Sequence, residues 1–147
     1  MRSINNINYR KILSSFLQHD GSPFFNAKGA AIGVFSGCFP FFGFQTLLGL
    51  SLAKLAKGNL LLAAIGTWIS NPLTYIPLYY FNYKVGSIFF KNPPDNIIDK
   101  NLLINDLWQK GSIFSIRLII GSSLVGLFLA TISGCIVFLL FKIKQKS

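Results

Sequence analysis

Ala30-Ala31-Ile32-Gly33-Val34-Phe35 and, thirty-three positions later, Ala63-Ala64-Ile65-Gly66-Thr67-Trp68 decide how this chain is read. Each copy runs into a break: Gly37-Cys38-Phe39-Pro40-Phe41-Phe42-Gly43 follows the first, and Ser70-Asn71-Pro72 the second. Proline interrupts a helix because it lacks the N–H its turn needs and clashes with the turn before. Gly37 and Gly43 bracket Pro40 and add backbone freedom. Gly29 to Phe39 and Leu60 to Ser70 are 11 residues each, about 17 Å of helix apiece. Neither crosses a hydrocarbon core about 30 Å thick. Two readings of each copy stay open: a re-entrant hairpin that turns at depth, or one kinked span.

The surroundings of the repeat place it in a membrane. Apolar residues make up 52% of the 147 residues and charged ones 12%, about half the charged share of an ordinary soluble domain. Uncharged runs of 25, 26 and 24 residues separate Lys28 from Lys54, Lys57 from Lys84 and Arg117 from Lys142. Each is long enough for the roughly 20 apolar residues of a transmembrane helix. The net charge of +10 resides in Lys and Arg that flank these runs. That is the distribution of anchors facing anionic headgroups, and it argues against nucleic-acid binding.

If all three runs cross, the two sides hold nine and five basic residues. If the first two are hairpins, residues 1–117 hold eleven against three. The positive-inside rule thus leans to hairpins with a cytoplasmic N-terminus.

The expected fold is an all-α membrane protein in a single domain. Residues 1–22 form an amphipathic helix, since Tyr9, Ile12, Leu13, Phe16 and Leu17 share one face. A first broken hairpin covers 24–57, with Ser22 as N-cap and Pro23 in the first turn. Gly29, Gly33 and Gly37 give it a small-residue face for close helix approach. A second broken hairpin covers 58–90, restarting at Asn71-Pro72-Leu73-Thr74, and its tyrosines 75, 79, 80 and 83 suit a membrane–water boundary. A loop and surface helix over 91–112 end at Gly111-Ser112, a transmembrane helix covers 113–141, and 142–147 is a basic tail.

Gly37-x-x-Pro40-x-x-Gly43-x-Gln45-Thr46, then Asn59, then Gly66-Thr67-Trp68-x-x-Asn71-Pro72-x-Thr74, resembles the bacterial membrane family DUF2062 over roughly residues 24–140. The resemblance implies a multi-pass protein of the bacterial inner membrane, sometimes joined to other domains in relatives. It implies no activity.

Catalytic groups do not converge. The chain has no Glu, its four Asp residues fall outside the apolar runs, and His19 is its one histidine. Cys38 and Cys135 lack metal or redox spacing and read as small buried thiols. We expect no enzyme and no cofactor. Neutral polarity gathers instead around the breaks, in Ser36, Gln45, Thr46, Thr67, Ser70, Asn71 and Thr74. Broken backbone persists in a membrane only when buried in protein or lining a wet cavity.

One expectation is a small transporter, channel or lipid-handling protein with a midplane site at the breaks, where helix N-termini after Pro40 and Pro72 favour an anionic or polar group. The other is a non-catalytic scaffold or accessory subunit of an envelope system, whose polar side chains merely cap the breaks. The expected partners are the lipid bilayer and a second copy or another membrane protein.

Overall fold

A computed structural model describes residues 21–41, 43–90 and 104–146, without the side chains of 104–110 and 146. The expected N-terminal helix and the loop after Lys91 lie outside the described residues. Within them there are five α-helices and no strand: α1 (Pro23–Gly37), α2 (Phe44–Leu55), α3 (Leu60–Gly66), α4 (Tyr75–Ser87) and α5 (Ile104–Lys146), with a 3-10 turn Thr67–Ile69 after α3.

α1 starts as its sequence dictates. Ser22 Oγ accepts from the Phe25 N–H at 3.2 Å, and Pro23, lacking an N–H, occupies the first turn where none is needed. The end at which α1 starts is called basal below, and the end at which it stops distal. The chain reverses through Pro40 to Gly43, whose φ of 81° is open to glycine at little cost. Nothing lies within 4 Å of a Cβ built there, so the turn itself and not crowding requires glycine.

α2 descends beside α1, and its end is a Schellman motif. Gly58 N–H donates to Ala53 O at 2.8 Å and Lys57 N–H to Lys54 O at 3.1 Å. Lys57, at φ 52°, holds the left-handed position that glycine usually takes. Gly58 is needed one place later, because a Cβ there would stand 3.0 Å from Gly29 N. Lys28 Nζ donates to Ala56 O at 2.7 Å across the same end. α1 and α2 therefore lie side by side in opposite senses.

α3 rises parallel to α1. Asn59 caps it, accepting from the N–H groups of Leu61 and Leu62 at 2.9 and 3.2 Å. A Cβ on Gly29 would strike the Asn59 backbone, one on Gly33 the Ala63 backbone, and one on Gly37 the Thr67 carbonyl at 2.8 Å. Three successive turns of one helix thus meet three of the other in the same order. The contact is reciprocal. Gly33 faces Ala63, while a Cβ on Gly66 would meet Val34 N at 2.8 Å and Ala30 O at 2.9 Å. Asn59 Nδ2 donates to Asn26 Oδ1 at 2.7 Å, and these two asparagines are also thirty-three positions apart. The two copies of the repeat pack on each other about a local pseudo-two-fold axis along the helices, as in an isologous interface.

Beyond the second break the copies diverge, and the expected second hairpin is corrected. α4 does not fold back along α3; it packs on α5. A Cβ on Gly86 would strike the Arg117 carbonyl and one on Gly121 the Asn82 carbonyl, while Gly126 faces Cys38 and Gly134 faces Ala31. α5 therefore descends past α4 and then past α1. α4 rises distally, in the same sense as α3. The 58–90 segment is a broken ascent, and only 24–57 doubles back.

α5 runs unbroken over 43 residues. Gly111-Ser112 does not interrupt it, which corrects the expected boundary between a surface helix and a separate 113–141 span. One alanine-class penalty of about 1 kcal/mol for a glycine is too small to stop so long a helix. Its stretch Gly111–Gln145 is the one described helix long and apolar enough to cross a membrane.

Candidate functional site

The two breaks meet. Gln45, in the first turn of α2, donates through Nε2 to Ser70 O at 3.2 Å. Thr46 and Thr67 share a hydroxyl hydrogen bond of 3.1 Å, and Thr67 Oγ1 also donates to Ala64 O at 2.7 Å. Ser36 is fully buried and lies against Gly49 of α2, where an added Cβ would stand 3.5 Å from its hydroxyl. Thr67 fills the other side of that glycine. Gly37 and Gly66 act here as close-approach positions between α1 and α3. The predicted Ser36, Gly37, Gln45, Thr46, Gly66, Thr67 and Ser70 thus form one cluster.

The second break is built by Asn71 and Thr74. Asn71 Oδ1 accepts from the N–H groups of Leu73 and Thr74 at 2.9 and 3.1 Å, as an N-cap would. Thr74 Oγ1 accepts from Asn71 N–H at 3.0 Å and donates to Ile69 O at 2.7 Å. The regular helix starts only at Tyr75, so the expected restart at Pro72 is three residues early. Asn71 and Thr74 are consumed in the turn. Pro77 falls in the first turn of α4, where its missing N–H removes no helical bond, and it leaves α4 continuous.

Several expected members stand apart. Trp68 is 74% exposed and Pro72 is exposed; both face away from the cluster. Pro40 and Gly43 belong to the reversal between α1 and α2. α2 starts at Gly43 without a side-chain cap. Cys38 is buried as expected, whereas Cys135 is exposed, which corrects the reading of both as buried thiols.

Three residues that the sequence reading did not place at the breaks, Tyr79, Asn82 and Ser122, complete the junction. Tyr79 is the first. Its hydroxyl donates to Phe39 O at 3.1 Å and shares a 2.9 Å bond with Ser70 Oγ, so one phenol ties the first break to the second. Asn82 is fully buried and donates through Nδ2 to Cys38 O at 2.9 Å and to Ser122 Oγ at 3.0 Å. It joins the end of α1 to α4 and α5. The signal was available: Asn82 and Ser122 are polar residues inside uncharged runs, and buried polar groups need partners. The aromatic neighbours of Asn82 suggested a boundary instead of an interior.

Four carbonyls at the breaks, those of Cys38, Phe39, Ile69 and Ser70, are thus taken by side chains. Among the described residues, three buried side-chain oxygens accept nothing: Ser36 Oγ, Gln45 Oε1 and Asn82 Oδ1. No group of three or more metal-ligating residues occurs among the described residues. The cluster lies opposite Ser122 and Gly126 of α5.

Two apolar grooves flank α5. One, of about 730 Å³, lies beside the second break between α4 and α5, bounded by Ile69, Thr74, Leu78, Phe81, Leu124 and Phe128. The other, of about 640 Å³, lies between the basal half of α1 and the C-terminal half of α5.

No curated protein and no solved structure matches the chain. Residues 8–147 match the family described as "Uncharacterized protein conserved in bacteria". With nearly its whole length matched, the chain belongs to that family, DUF2062.

Proposed function

We propose that the chain is an integral protein of the bacterial inner membrane that handles lipid at the junction of its two helix breaks. The observation that supports the membrane setting is an inverted interior. Among the described residues, the largest fully buried side chains are Asn26, Asn82, Thr67, Cys38, Ser36 and Ser122, while Phe44, Leu55, Trp68, Leu73, Ile88 and Phe128 stand outside. Water would drive the opposite sorting. Small and polar residues between helices with large apolar ones outside is how helices associate in lipid, where burying a Leu gains nothing.

On this reading α1 and α2 form a re-entrant hairpin, α3 and α4 a broken span, and α5 a full crossing. The described side chains Lys28, Lys54, Lys57, Lys142 and Lys144 gather basally, against Lys84 and Arg117 distally. The positive-inside rule makes the basal end cytoplasmic.

The groove beside the second break supports lipid over a hydrophilic solute. It opens on the outer surface, its walls are apolar apart from Thr74, and it adjoins the polar cluster. That pairing suits an amphiphile. The test is scrambling of a fluorescent phospholipid in liposomes containing the purified protein. Leu78→Trp narrows the groove from its wall and should abolish scrambling without shifting the unfolding midpoint. Gln45→Ala should slow it.

A scaffold is the second reading, and the capping of four break carbonyls by the chain's own side chains favours it. Protein that never scrambles, with Asn71→Ala and Gln45→Ala losing only stability, decides for the scaffold.

A further inference from the structure

The basal groove between α1 and α5 combines two features that point to one ligand. Apart from Thr131 its walls between the ends are apolar, formed chiefly by Ala27, Ala31, Leu127, Ala130, Phe138 and Leu139. At its basal end two ammonium groups lie over aromatic rings that line it: Lys28 Nζ is 5.2 Å from the centroid of Phe24, and Lys142 Nζ is 5.7 Å from that of Phe138. Such cation–π contacts hold long side chains in place at the mouth of the groove. Lys28 spends one N–H on Ala56 O, and an ammonium has three. No acidic residue occurs among the residues lining the groove.

An apolar slot ending in two cations complements an acyl chain ending in an anion. We infer that this groove binds a single anionic phospholipid, with an acyl chain between α1 and α5 and its phosphate on Lys28 and Lys142. The inference rests on the membrane reading above but not on scrambling. A lipid held here, at the basal end and away from the junction, is a resident ligand on the face where the α1–α2 hairpin meets α5.

The experiment is native mass spectrometry of the detergent-purified full chain titrated with dioleoyl phosphatidylglycerol and, separately, dioleoyl phosphatidylcholine. Two basic contacts predict a preference of about tenfold or more for the anionic lipid, and Lys28→Gln and Lys142→Gln should each lower it about fivefold. Thr131→Phe fills the groove from an exposed wall position, where folding is not at stake, and should remove bound phosphatidylglycerol. Equal retention of both lipids, or a preference that survives both lysine substitutions, overturns the site and leaves the membrane reading standing. Displacement by inorganic phosphate alone reduces it to an anion patch and overturns the lipid assignment. Ready oxidation of the groove-lining Cys135 to a disulfide between copies shows a second chain in the groove and overturns it likewise. Release from membranes by alkaline carbonate without detergent sinks the membrane reading, and the lipid site with it.

Discussion

Lys57 and Asn82 show how single residues carry this architecture. Lys57 occupies a left-handed conformation at φ 52° that costs a non-glycine residue about 1–2 kcal/mol. Its side chain is exposed, so Lys57→Gly should raise the stability of detergent-solubilised protein by about 1 kcal/mol in an SDS titration. A loss of stability would mean that the lysine headgroup contributes more than the strain costs. Asn82 works in the other direction. It holds Cys38 O and Ser122 Oγ together in the interior, and side-chain bonds between membrane helices are worth about 0.6 kcal/mol, up to about 1.7. Asn82→Ala should therefore destabilise by about 1–2 kcal/mol, whereas Trp68→Ala, on the outer face, should change stability by less than about 0.5 kcal/mol. Equal effects would mean that the junction contributes no more than the periphery.

Between elements, backbone approach decides the packing. α1 and α3 touch through Gly29, Gly33, Gly37 and Gly66, so any side chain placed there must push two backbones apart. Gly33→Leu should cost about 1–3 kcal/mol or more by overpacking. Gly111→Ala, in open space on α5, should be neutral or stabilise by up to about 1 kcal/mol. Thermal unfolding of the two variants in one detergent compares them directly. The asymmetry between the breaks also belongs to this scale. At the first, Gly43 at φ 81° turns the chain back; at the second, Asn71 and Thr74 close a compact turn from which the backbone continues in its former direction. Both sequences contain a proline, so proline alone does not tell a reversal from a jog.

At the scale of the whole molecule, the proposed membrane setting predicts which ends are reached from which side. Single cysteines placed by Lys57→Cys, Lys144→Cys and Lys84→Cys, in a chain carrying Cys135→Ser, should separate in labelling with a membrane-impermeant maleimide. Positions 57 and 144 should react from the cytoplasmic side and position 84 from the outside. Positions 57 and 84 reacting from the same side would restore the two-hairpin arrangement and contradict the fold described here.

The amino-acid sequence by itself determined the helical class, the position of both breaks, the cap of α1 and the glycine face of α1. These depend on neighbours in the chain: a proline, a capping serine, a four-residue spacing. It also carried the repeat, whose two copies turn out to be each other's packing partners. What only the tertiary structure decided is the partner of each polar group and the direction of α4. Asn82 meets Cys38 across 44 positions and Ser122 across 40, and no local pattern encodes which distant carbonyl a buried amide will satisfy. The direction of α4 is set by Gly86 and Gly121 pressing on the backbone of the opposite helix, a contact that exists only once α5 has been laid beside it.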